Sequence, residues 1–118
     1  MHNFKELKVW QKSIDMTVEI YKLTENFPNE EKFGLISQMR RAAVSIAANI
    51  AEGTGRRTEK DFNAFLGNSL GSSFELETEL TISFRLKYIT NDIFNGISLI
   101  IQEIQKMIVG LQKSLNIN

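Results

Sequence analysis

The sequence predicts an all-α protein, an antiparallel up-down-up-down four-helix bundle folded as a single domain over residues 1–118. Three observations predict it. Proline occurs once, at Pro28, and turn-forming residues seldom cluster, so few points break the chain. Apolar residues recur at steps of three and four, the period of a helix rather than of a strand. The uninterrupted segments are roughly 20 to 28 residues, or about 30 to 40 Å, and short turns between them enforce antiparallel neighbours.

The first helix is expected over residues 8–27. Trp10, Ile14, Val18 and Tyr21 form one apolar stripe, and Val9, Met16, Ile20, Leu23 and Phe27 a second. Pro28 ends it, because the ring removes a donor and disfavours helical geometry at Phe27. Asn29 is the expected N-cap of the second helix, with Glu30 and Glu31 in a first turn that complements the helix dipole. Ile36, Met39, Ala43, Ile46 and Ile50 form its core stripe, and Gln38, Arg41, Ser45, Asn49 and Glu52 a polar stripe beside it. Gly53 and Gly55 are expected to end this helix in left-handed geometry.

Thr58 followed by Asp61 resembles a capping box that opens the third helix. Phe62, Leu66, Ser69, Ser73, Leu76, Leu80 and Ser83 mark its core face, and Leu70, Phe74, Glu77, Thr81 and Phe84 a second row. Fraying is expected near Lys87 and Tyr88, and Thr90 caps the fourth helix, residues 91–115. That helix carries Ile93, Ile97, Ile100, Ile104, Met107, Leu111 and Leu115, with Phe94, Ile101 and Ile108 alongside. Asn95-Gly96 is a hairpin signal, but the helical period runs through it unbroken. One seam per helix fills a bundle, so the extra rows on the first and fourth helices point to self-association.

Composition limits the chemistry. Lysine plus arginine and aspartate plus glutamate both number 14, so the net charge is zero and the chain is not a bulk polycation. Cysteine is absent, which excludes disulfides, thiolate metal sites and cysteine nucleophiles. His2 is the only histidine and sits beside the initiator methionine, where fraying is expected. The expectation is therefore a protein without catalytic residues, cofactor or metal. The charged start lacks the apolar core of a signal peptide, and the most apolar helical stretch, residues 42–51, is broken by Ser45 and Asn49. A membrane helix needs roughly 18 apolar residues, so a cytoplasmic protein without membrane contact is expected.

Three constellations stand out. Arg40-Arg41 and Arg56-Arg57, with Lys60 nearby, could meet phosphate, since the guanidinium fork donates two parallel hydrogen bonds. The same side chains serve equally in surface and intersubunit salt bridges. Glu75, Glu77 and Glu79 form an acidic run, and Glu77 sits in a row between Phe74 and Phe84. A carboxylate buried there needs a partner, and Arg41 in the polar stripe is the expected one. Gly67-x-x-x-Gly71 with Ser69, Ser72 and Ser73 predicts close packing, against Ala42, Ala43, Ala47 and Ala51 or another subunit.

In order along the chain come Phe4-x-x-Leu7-x-Val9-Trp10, Tyr21-x-Leu23-Thr24 and Phe27-Pro28-x-Glu30-Glu31-x-Phe33-Gly34-Leu35. Gln38-x-Arg40-Arg41-Ala42-Ala43-Val44-Ser45-Ile46, Asn49-Ile50-Ala51-Glu52-Gly53-x-Gly55-Arg56 and Glu75-Leu76-Glu77-Thr78 follow. In these the chain resembles the 23S rRNA intervening-sequence protein family, also called the four-helix bundle protein family. Ala47-Ala48 departs from the family's usual proline and small residue, which implies a straighter second helix. Members are small bacterial proteins, some encoded within intervening sequences of ribosomal RNA genes and often labelled ribosomal proteins. They are similar to the accessory variability determinant of diversity-generating retroelements, a basic pentameric bundle that binds RNA and a reverse transcriptase.

The resemblance implies a non-enzymatic homo-oligomer, a pentamer, that scaffolds RNA or a protein partner such as a reverse transcriptase. Arg40, Arg56, Arg57 and Lys60 are then the expected RNA contacts, with Arg41 and Glu77 a structural pair. The alternative is a structural or protein-interaction oligomer with no nucleic-acid role. Convergence of the arginines on one surface favours RNA, and an acidic partner for each favours the alternative.

Overall fold

In a computed structural model, residues 3–117 are described, and they form four helices. These are α1 (Lys8–Thr24), α2 (Leu35–Thr54), α3 (Glu59–Arg85) and α4 (Asn91–Ser114), with 3₁₀ turns at Phe4–Glu6 and Asn29–Glu31. His2 lies outside the described residues. Each helix packs on its chain neighbours and α1 closes the ring on α4, while the diagonal pairs do not approach. This is the expected up-down-up-down bundle, 46 × 24 × 22 Å.

The local start signals hold. Thr58 Oγ1 accepts from the Asp61 N–H at 3.1 Å, and Thr90 Oγ1 from the Ile93 N–H at 3.3 Å. All seven residues expected on the core face of α3 are buried.

Other boundaries differ. Helix α1 stops at Thr24, and α2 starts at Leu35, not behind Asn29. The cause is Glu31, which serves two distant groups. Its Oε1 accepts from the Leu35 N–H at 3.3 Å, and its Oε2 from the Tyr88 hydroxyl at 3.0 Å. Gly34 permits this turn, because a Cβ there would lie 2.7 Å from Glu31 Oε1. Tyr88 also packs on Phe27, ring centroids 5.3 Å apart, so the end of α3 is tied to the α1–α2 connection.

The end of α3 does not fray. Lys87 takes left-handed geometry (φ 66°), its N–H bonds to Phe84 O, and the Tyr88 N–H bonds to Ser83 O, both at 2.9 Å. That is a Schellman cap with lysine where glycine is usual. Gly55 is right-handed (φ −86°), and Gly53 lies inside α2.

The core is chosen from between competing stripes. On α1 it is Val9, Met16 and Ile20, whereas Ile14, Val18 and Tyr21 are exposed. On α4 the buried residues are Ile101, Ile104 and Ile108, so the expected main stripe is mostly a half-covered flank and Ile93 is exposed. The Gly67–Gly71 expectation fails within the chain: a Cβ on Gly71 would meet nothing within 4 Å, and one on Gly67 only Gln112 at 3.9 Å. The close approach lies at Gly53, where a Cβ would come 2.7 Å from Phe62 Cδ1 and 2.9 Å from Phe65 Cβ.

Candidate functional site: the α2–α3 polar seam

Helices α2 and α3 contact each other more extensively than any other pair. Small residues permit it, and the polar atoms they bring in bond across the interface. Ser69 Oγ donates to the Ile46 carbonyl at 2.8 Å, a side chain reaching the opposite backbone directly. The Ser45 and Ser72 hydroxyls bond each other at 2.8 Å, and Asn49 Nδ2 donates to Ser45 Oγ and to its carbonyl, both at 2.9 Å. Ser45 and Asn49 of the α2 polar stripe are thus drawn into the interhelical seam, whereas Gln38, Arg41 and Glu52 remain exposed.

One end of the seam opens into a groove of about 350 Å³ lined by Gln38, Arg41, Ala42, Ser45, Ser72, Glu75 and Glu79. Glu79 is 9% exposed, and its Oε1 has no hydrogen-bond partner. Burial first, and Glu75 one turn away second, push its carboxyl up to about 7.

The acidic residue at depth is therefore Glu79 and not Glu77. Glu77 is only half-buried, and its Oε1 accepts from Gln105 Nε2 at 3.0 Å on α4. Arg41 is exposed on the rim of the groove and makes no ion pair with Glu77. Both flanks of α3 carry acidic side chains, and depth follows the closeness of the neighbouring helix. The small residues facing α2 bring it near, whereas Leu70, Phe74 and Phe84 mark the α4 flank, where Phe74 remains 51% exposed. The available sequence signal was the clustering of serine and alanine on the α2–α3 flank.

The basic residues do not converge. Arg40 sits near the start of α2, where its Nε donates to Thr24 Oγ1 at 2.9 Å and its Nη2 to the Tyr21 carbonyl at 3.2 Å. Its guanidinium lies 4.7 Å from the Tyr21 ring centroid, so it fastens the C-terminal end of α1 to α2. Arg56, about 20 Å or more away by helical rise, pairs with Glu52 at 2.9 Å and covers Phe65 at 4.4 Å. Arg57 and Lys60 are exposed with no ion pair among the described residues. Arg57 borders a recess of about 420 Å³ with Gly53, Thr54, Arg56, Thr58, Glu59 and Phe62. Among the described residues no three acidic or histidine side chains gather as metal ligands, and no helix is long and apolar enough to cross a membrane.

The family model for the 23S rRNA-intervening sequence protein matches residues 5–110. The chain belongs to that family. Its fold is shared with a crystal structure of a protein of unknown function from the S23 ribosomal protein family of Bacteroides thetaiotaomicron. The two are 32% identical with a TM-score of 0.83, over 90% of this chain and 96% of the other. No curated protein matches.

Proposed function

We propose that this 23S rRNA-intervening sequence protein is a non-catalytic assembly module, a homo-oligomer built through the α1–α4 face. The observation that carries this reading is the groove of about 460 Å³ between α1 and α4, lined by Leu23, Ile93, Gly96, Ile97 and Ile100 with Glu19 and Lys22 at its edge. Val18 on α1 and Ile93 on α4 are 47% and 41% exposed. A second copy of the chain suits it. Lys12 and Lys22 flank Asp15 and Glu19 along α1, so this face carries both signs of charge, and a neutral chain does not repel itself. The family resemblance supplies the expected number, five, and the cytoplasm as the site of action.

Light scattering is expected to give several times the 13.5 kDa chain mass. Ile93→Asp with Val18→Asp should return the mass to that of a monomer with helicity retained, since neither side chain belongs to the core. A wild-type monomer at micromolar concentration would falsify the reading.

RNA binding is the second reading, and it rests on Arg57 and Lys60, which make no ion pair among the described residues. Arg40, committed to Tyr21 and Thr24, contributes nothing to it. Glu52, Glu59 and Asp61 surround the same turn, so any affinity will be weak and fall steeply with salt. Titration of structured and single-stranded RNA against wild type and an Arg57→Ala, Lys60→Ala double variant tests it. No binding at low salt leaves the interaction-only oligomer, with a protein partner such as a reverse transcriptase as its further client.

A further inference from the structure

The groove between α2 and α3 lies on other helices than the α1–α4 groove, and it contains an unmet demand. Glu79 is 9% exposed, its Oε1 is wholly buried, and no donor reaches that oxygen. Leaving such an atom unpaired is costly, and native folds seldom do so without a reason. Ser45 and Ser72 bond each other, Asn49 bonds Ser45, and neither these nor Gln38 and Arg41 on the same groove reaches that oxygen. The charged groups on this groove are Glu75 and Glu79 from α3 and Arg41 from α2, so with both carboxylates ionised it is negative by one. A divalent metal is disfavoured, because no third acidic or histidine side chain joins the two carboxylates.

We propose that the α2–α3 groove binds a small organic cation with N–H donors, a primary ammonium or a guanidinium, which donates to the Glu79 carboxylate as that side chain turns its unpartnered oxygen into the groove. Such a group supplies the missing hydrogen bond and cancels the remaining charge. Glu75, one helical turn from Glu79, offers a second acceptor at the mouth. A guanidinium fork bridges two such acceptors, and an ammonium directs its three donors between carboxylate and hydroxyl. The volume of about 350 Å³ suits a ligand of a few heavy atoms or the end of a lysine or arginine side chain. The group therefore comes either from a free amine or from a lysine or arginine of another copy of this chain.

The experiment titrates ¹³C-labelled protein, in phosphate buffer, with methylguanidinium, propylammonium and tetramethylammonium chlorides. The first two should shift the Glu79 carboxyl resonance saturably, with Kd on the order of 1–10 mM for so few atoms. Tetramethylammonium, equal in charge but without N–H groups, should not. With the Glu79 carboxyl titrating near 7, binding should be about tenfold tighter at about pH 8 than at about pH 6, because the cation needs the ionised form. Glu79→Gln, close in shape to the native side chain, should abolish the shifts at Ser45 and Ser72, and Glu75→Gln should weaken them severalfold. Light scattering separates the two sources: a mass lowered by Glu79→Gln means that another copy supplies the cation, and an unchanged mass means a free amine. No saturable shift in the native protein, an equal response to tetramethylammonium, or undiminished binding by a folded Glu79→Gln would overturn the proposal.

Discussion

Between α2 and α3 buried serines, alanines and one glycine are interspersed with the large core residues, whereas the groove between α1 and α4 is lined mainly by leucine and isoleucine. Small side chains let two backbones meet, as the 2.8 Å bond from Ser69 to the Ile46 carbonyl records. Meeting that closely also buries whatever polar atoms lie on the flank, and each must find a partner. Large aliphatic side chains do the reverse on α1 and α4, leaving Val18 and Ile93 nearly half exposed. One interface is closed and polar, the other open and apolar. The first has room for a small polar ligand only at its mouth, and the second has room for another protein chain.

The largest expected effect comes from filling the closed interface. Gly53→Ala places a methyl against the Phe62 ring and Phe65 Cβ, and overpacking of this kind costs about 1–3 kcal/mol. A fall in the urea midpoint at unchanged m-value measures it. Gly96→Ala, facing open space beside the α1–α4 groove, should instead raise the midpoint of a monomerised variant by up to about 1 kcal/mol. Similar effects from the two substitutions would break the comparison.

Glu79 gives a pH signature to the closed interface. Its folded-state carboxyl stands at about 7 against an ordinary value of 4.5, so the folded protein holds the proton more tightly than the unfolded chain. The contribution of Glu79 to stability is therefore full below 4.5 and is lost as pH rises towards and through 7. The loss is roughly 1–3 kcal/mol, the smaller figure applying where water entering the groove screens the charge. Thermal melts across this range should show the decline, and Glu79→Gln should flatten it and stabilise the protein at alkaline pH. Glu77→Gln, by contrast, keeps an acceptor for Gln105 in a half-buried position, and a change well below about 1 kcal/mol is expected.

The smallest effect belongs to the open interface. Lys12 and Glu103 pair across α1 and α4 with both side chains partly exposed, and such pairs contribute about 0.2–1 kcal/mol. Lys12→Ala should lower the melting temperature slightly at low salt and not at high salt. A salt-independent loss larger than that would mean the α1–α4 contact is tighter than its exposure indicates.

What the sequence determined by itself was local: the four helices, the caps at Thr58 and Thr90, the core face of α3 and the order of neighbours. A cap needs only residues three apart, a helix only its own periodicity, and short turns leave no freedom in which helices are adjacent. The family motifs were equally legible, because they too lie in the linear order. Tertiary structure decided the rest. Which of two apolar rows on α1 and α4 is core depends on where the neighbouring helices lie, and the start of α2 depends on Glu31 reaching Tyr88, far along the chain. Arg40 and Arg56 look alike in sequence, yet one binds the end of α1 and the other Glu52 and Phe65. The choice of Glu79 over Glu77 rests on the same cause. Burial is a property of the distance between two helices, and that distance is set jointly by side chains on both.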